Sequence, residues 1–146
     1  MKRFKLSRPK DHRQSLVKNL ATSLIVYERI QTTEAKAKSA QRYTEKLLQR
    51  VKNLDEVNGY RLALGSLHDQ KAARKMIEVL KDRFAKTKGG TTRIIKIGLR
   101  KGDKAPVVIL EMTIKTEPKS IATPDKKSTK ALNIKTVTKT SEKVKK

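Results

Sequence analysis

The spacing of apolar residues changes period once along this chain, at the pair Gly89–Gly90. Between Leu16 and Phe84 apolar residues recur every three or four positions, whereas in RIIKIGL and VVILEM they recur at about every second position. The first spacing lines one face of a helix, the second one face of a strand. Helices are therefore predicted first, and a β-hairpin last.

The helices can be placed from their start and stop signals. Asp11, with Gln14 three residues on, reads as a capping box that opens a helix through DHRQSLVKNLATSLIVY. Its core stripe is expected to be Leu16, Leu20 and Leu24, joined by Val17, Ala21 and Tyr27. RIQTT is a short β-favouring piece, and Thr33–Glu34 then opens a second helix, with an acid where the helix dipole favours it. Ala37, Ala40, Leu47 and Val51 mark the apolar side of that helix. A third helix is expected from about Asp55 to Gly65 despite Gly59, with Tyr60 and Leu64 inward. Asp69 caps a fourth, QKAARKMIEVLKDRFA, buried through Ala73, Met76, Ile77, Leu80 and Phe84. One glycine of the pair Gly89–Gly90 suits a left-handed backbone at the end of the helical region.

In the hairpin, Ile95, Ile97 and Leu99 are expected on one face, with Lys96 and Arg100 on the other. On the second strand Val108, Leu110, Met112 and Ile114 share a face. The connector RKGDKAP turns at Gly102 and Asp103 and presents Arg100, Lys101 and Lys104 at its tip. A cationic finger of this kind suits a groove or junction of folded RNA, where phosphates crowd together.

Charge decides which partners are worth considering. The chain holds 37 Lys and Arg against 14 Asp and Glu, a formal net charge of +23. An excess this large and one-sided repels itself in the compact state unless a polyanion supplies counter-charge. Nucleic acid is the expected partner, ahead of an anionic membrane surface. The cations are also patterned. Lys38, Arg42, Lys46 and Arg50 fall at four-residue steps on the second helix, a ridge about 18 Å long at 1.5 Å per residue. Like charges at that spacing cost a helix about 0.2–0.5 kcal/mol each, and Glu45 is the acid near them. An outside anion is the natural compensation.

The ends are basic too. Residues 1–10 form an arm carrying Lys2, Arg3, Lys5, Arg8 and Lys10 with no acid; Pro9 ends it and favours extended chain over helix. The same composition fits a basic organelle presequence, so a bacterial and an organellar setting both stay open. Residues 116–146 turn to Lys, Thr, Ser and Pro, with too little apolar surface to order themselves, and are expected to be a disordered tail. The expected division is a basic arm at 1–10, a domain at 11–115 and a lysine-rich extension at 116–146.

Several function classes lose support. Cysteine is absent, which removes disulfides, thiolate metal sites and cysteine nucleophiles. His12 and His68 lie in different segments with no carboxylate at ligand spacing, so no metal site is expected. His12 beside Arg13 suits a phosphate or capping environment at a helix start better than acid–base work. The glycine pair lacks the Gly-Lys-Ser/Thr ending of a P-loop and follows a helix. No run approaches the ~20 apolar residues of a membrane span. The reading is a protein without catalytic residues, cofactor or small-molecule substrate.

Three stretches together resemble the bacterial-type large-subunit ribosomal protein seventeen family, over about Leu6 to Ile114. LSRPKDHRQSLVKNLATSL is similar to the family's opening pattern at Leu6, Arg8, His12, Arg13 and Gln14; TTEAKAK resembles its second-helix start; GGTTRIIKIGLRKGDKAPVVILEM resembles its closing hairpin. Thr91 stands where an aromatic is common. The resemblance implies an α+β fold, with helices against a small mixed sheet. It also implies a structural role in translation: binding large-subunit rRNA beside neighbouring ribosomal proteins, in a cytoplasmic or organellar ribosome. Carried over residue by residue, it points to Arg8, His12, Arg13, Arg93, Arg100 and Lys101 as RNA contacts. With the arm, the ridge, Lys96 and Lys104, these make up the expected RNA-binding set.

The reading from another class is a histone-like protein that compacts duplex DNA without sequence choice. Such a protein needs only broad charge. Arginines set at a turn tip and around a helix start favour fitting into folded RNA. Five aromatics, Phe4, Tyr27, Tyr43, Tyr60 and Phe84, are too scattered for a stacking sheet of the RNA-recognition type.

Overall fold

The computed structural model describes residues 4–114. Lys2, Arg3 and the extension 116–146 lie outside the described residues. Helix α1 spans Lys10–Tyr27, strand β1 Arg29–Thr33, helix α2 Glu34–Lys52 and helix α3 Glu56–Ser66. Helix α4, Gln70–Lys75, runs on through a π-helical turn at Met76–Leu80 into a last short turn, α5, Lys81–Arg83. Strands β2, Thr92–Leu99, and β3, Pro106–Met112, close the domain as a hairpin. The α+β fold expected from the sequence is the fold observed.

The sheet is ordered β1-β3-β2 and is antiparallel throughout, not mixed. The reason is topological: β1 enters beside β3 with Arg29 opposite Glu111 and Thr33 opposite Val107, so the hairpin's second strand is the central one. Leu24 and Ile25 from α1, Leu47, Leu48 and Val51 from α2, Met76, Leu80 and Phe84 from the fourth helical segment, and Val108, Leu110 and Met112 from β3 form one core. Phe84 is fully buried and contributes about 1.5–3 kcal/mol of burial.

Helix α1 starts two residues earlier than its capping box suggests. Pro9 occupies the N-cap with an extended backbone, its carbonyl accepting the Arg13 N–H at 3.0 Å, and Asp11 lies inside the first turn. Proline supplies no side-chain acceptor, but its ring fixes φ for the chain's entry into the helix. The described part of the arm is a turn and not extended chain. Leu6 and Ser7 both take positive φ, and the Arg8 N–H reaches the Lys5 carbonyl at 3.3 Å.

Three inward assignments change. Tyr27 is 73% exposed, because α1 packs through Ala21, Leu24 and Ile25, at three- and four-residue steps, and ends before anything covers Tyr27. Leu64 is exposed as well. The inward side of α3 is Gly59 and Ala63, small residues that let the helix approach closely; a Cβ on Gly59 would stand 3.3 Å from Ile77 Cδ1. On β2 the parity is reversed. Ile94 pairs with buried Leu110, which places Ile95, opposite Ile109, on the outer face. A bulge between Lys96 and Gly98 then carries Ile97 and Leu99 beyond the helices, with Leu99 69% exposed. Val108, Leu110 and Met112 are buried as expected, while Ile114 is partly exposed.

Candidate nucleic-acid interface

The largest gathering of expected contacts lies between α1 and α2. Lys10, Arg13 and Lys18 project from α1, Arg42 and Lys46 from α2, and together they line a groove of about 710 Å³. No acid lines it. Phe4 stands at its side, with the Arg42 guanidinium 5.6 Å from the ring centroid, a cation–π pair.

Helical spacing explains the gathering. Lys10, Arg13–Gln14 and Val17–Lys18 recur at three- and four-residue steps on α1, on the same face as Ala21, Leu24 and Ile25 but in the turns before them. Ser39, Arg42–Tyr43 and Lys46 do the same on α2. The end of α3 ties the two helices together. Tyr43 donates its hydroxyl to the Ser66 carbonyl at 2.8 Å, and Lys18 Nζ reaches the Gly65 carbonyl at 3.3 Å. Burial pushes the Tyr43 phenol up, against the Ser66 hydrogen bond and the Arg50 charge.

The ridge on α2 therefore divides. Lys38 is taken by Glu34 at 2.6 Å, the favourable order for a pair four residues apart on a helix. That hydrogen bond and charge hold the Glu34 carboxyl below its ordinary value. Arg42 and Lys46 face the groove, and Arg50 is exposed beyond it. Glu45, the acid within the ridge's own span of sequence, instead accepts from the Thr92 hydroxyl at 3.0 Å, on the sheet side of α2.

At the helix start the expected residues have internal tasks. Arg13 donates to the Arg8 carbonyl at 3.1 Å and the Lys5 carbonyl at 3.5 Å; Arg8 donates to the Leu6 carbonyl at 3.0 Å. Arginine side chains thus hold the turn whose backbone has positive φ. Lys5, Lys10 and His12 are exposed.

The hairpin splits similarly. Arg93 bonds Glu111 at 2.5 Å, and Arg29 lies 3.9 Å from the same carboxylate, which is only 2% exposed. Both cations offset a buried acid. At the tip, Arg100 grips Asp103 through Nε and Nη2, at 3.0 and 2.5 Å, while the Ala105 N–H bonds the same side chain at 3.2 Å. The Arg100 hydrogen bond first, then the Ala105 N–H, hold the Asp103 carboxyl down at about 2. Lys101 and Lys104 are exposed around this clamp, with Gly102 at φ +104 and Lys104 at φ +51. Lys96, also exposed, adds its charge to the environment of Glu34.

Sequence reasoning missed Lys18 and Phe4 as members of the groove. Lys18 carried a signal, its position one turn beyond Gln14 on α1; Phe4 carried none, since its placement depends on the turn at Leu6–Ser7. Among the described residues no three His, Asp or Glu side chains gather as a metal would need, and no helix is long and apolar enough to cross a membrane.

Known proteins match this chain over the same region. The family model described as ribosomal protein L17 matches residues 16–113. A large ribosomal subunit protein bL17 of Wolbachia pipientis subsp. Culex pipiens is 47% identical over 113 residues, covering 77% of this chain and 80% of that protein. The bL17 of Carboxydothermus hydrogenoformans is 43% identical over 112 residues, covering 77% of this chain and 99% of that protein. The bL17 of Anaplasma marginale is 45% identical over 124 residues, covering 81% and 92%. A family model spanning most of the described residues, together with relatives this similar along most of their own length, places the chain in the ribosomal protein L17 family.

Proposed function

We propose that the protein is a structural constituent of the large ribosomal subunit, where it binds and stabilises folded large-subunit rRNA beside neighbouring ribosomal proteins. The observation that carries this reading is the groove between α1 and α2, five cations and no acid on two helices locked to α3. Family membership supplies the particle. The protein acts by occupying a place and turns over no substrate; its setting is the cytoplasm of a bacterium or an organelle with bacterial-type ribosomes.

Phosphate contacts supply most of the affinity and the shape of the cation array supplies the choice of site. The groove residues, the exposed Lys5, Lys10 and His12, Arg50, and the hairpin cations Lys96, Lys101 and Lys104 are the direct contacts in this reading. Arg8, Arg93 and Arg100 hold the backbone that presents them. The arm at 1–10 and the extension at 116–146 add charge at either end of the domain at 11–115. The testing experiment is sedimentation of ribosomal particles through a high-salt gradient: the chain is expected to travel with the large subunit. Its absence from particles that otherwise hold every large-subunit component overturns the reading. Equal retention on random duplex DNA would favour the DNA-compacting alternative.

A further inference from the structure

We infer that the groove between α1 and α2 receives one unpaired nucleotide of the RNA, with its base on the Phe4–Arg42 stack and its phosphate among Lys10, Arg13 and Lys46. This rests on the rRNA-binding reading above and adds to it a ligand class and a position.

Three features separate this groove from a general cationic patch. The first is concavity. At about 710 Å³ it falls within the ~300–1,000 Å³ range of sites that enclose a small molecule. A regular duplex offers convex rows of phosphate with its bases stacked inside, so it has nothing of that shape to insert. The second is the planar wall. Arg42 lies over the Phe4 ring, and guanidinium and aromatic planes are the surfaces on which unstacked bases lie. Phe4 is 39% exposed and is the one aromatic of the basic arm. A contact with phosphate alone gives an aromatic there no task. The third is rigidity. The Tyr43–Ser66 and Lys18–Gly65 hydrogen bonds fix both helices to the end of α3, and Arg13 ties the arm's carbonyls to α1, so the groove stands ready before RNA arrives. Less ordering on binding leaves more of the contact energy as affinity.

The test uses the full chain and large-subunit rRNA transcribed in vitro, with filter binding at fixed ionic strength, thermal melting, and dimethyl sulfate footprinting of the RNA. Phe4→Ala is expected to lower affinity about tenfold, the size of one lost base stack, while melting as the parent does because Phe4 lies outside the core. Phe4→Tyr keeps a π-face and is expected to bind within about twofold of the parent. Lys46→Gln is expected to weaken binding and flatten its salt dependence by about one phosphate contact. One adenine or cytosine that the parent protects is expected to become reactive again with Phe4→Ala. If Phe4→Ala binds like the parent while Lys46→Gln is weaker, the groove holds phosphate alone and the inference falls, with rRNA binding intact. Equal losses for Phe4→Ala and Phe4→Tyr also overturn it. Failure of the parent chain to bind the transcript at all overturns the rRNA reading itself.

Discussion

Glu28 shows how a single residue outside any expected site can hold the domain together. It ends α1 at φ 60, a left-handed conformation unusual for a side chain larger than glycine's. Its carbonyl accepts the Met112 N–H at 2.9 Å, and its carboxylate takes Lys75 at 2.8 Å and Arg83 at 2.9 Å. One residue thus fastens α1 to β3 and to the fourth helical segment. Burial pushes its carboxyl up, but the hydrogen bonds and charges of Arg83 and Lys75 outweigh that and hold it below 4.5. Glu28→Ala is predicted to cost about 2 kcal/mol in urea unfolding, for two charge-assisted bonds lost in a half-buried setting. The pH dependence has a definite sign. A carboxyl depressed in the folded state binds fewer protons there than in the unfolded chain, so its contribution is complete above 4.5 and is lost as pH falls through the folded value. The stability gap between the parent and Glu28→Gln is therefore expected to shrink as pH falls below about 4.5; a gap that widens on acidification would contradict this. In the sequence Glu28 reads only as a polar interruption of an apolar run. Its partners lie 47 and 55 positions away in the chain, beyond any local pattern.

At the level of elements, the sequence was most readable where a local signal and tertiary packing agree. Asp69 caps α4 through a 2.9 Å bond from the Lys71 N–H, Thr33 stands at the N-cap of α2, and RIQTT is β1. It was least readable where two parities or two residue sizes competed. Adjacent Ile94 and Ile95 give β2 no unique face, and only pairing with β3 selects Ile94. In α3 the search for large apolar residues favoured Leu64, yet close packing of Gly59 and Ala63 sets the face. Gly59→Leu is accordingly predicted to destabilise by about 2 kcal/mol through overpacking, measured as a shift in urea midpoint. Gly59→Ala is expected to stay within about 1 kcal/mol, since the nearest atom is a terminal methyl that can move. In the hairpin, the Asp103 carboxyl is predicted to titrate near 2 by NMR instead of at 3.8. Asp103→Asn should speed exchange of the Ala105 amide. An ordinary titration would mean that Arg100 does not clamp the turn. Replacing Arg100 and Lys101 together by Ala is expected to impair incorporation into large subunits more than replacing Lys126 and Lys127 in the extension. Equal effects would reduce the hairpin to bulk charge.

For the whole molecule, the net charge of +23 sets the expected class of partner but not how the domain answers its own repulsion. Four of the described acids are placed against particular cations, Glu34 on Lys38, Glu111 on Arg93 and Arg29, Asp103 on Arg100 and Glu28 on Lys75 and Arg83, and none of these lines the groove. The charge is thereby sorted into internal pairs and a cationic surface aimed outward. The candidate residues were legible from the sequence as types and spacings; their division into cations paired within the fold and cations facing outward was not, because it depends on which acid lies opposite in the fold. The most direct test is the affinity of the purified chain for large-subunit rRNA and for random duplex DNA over a range of salt. With about ten phosphates engaged, a log–log slope of about −7 to −9 is predicted for the rRNA, with the rRNA bound more tightly than DNA at every salt concentration. A flat response, or equal affinity for the two nucleic acids, would contradict an ordered cation array matched to a folded RNA.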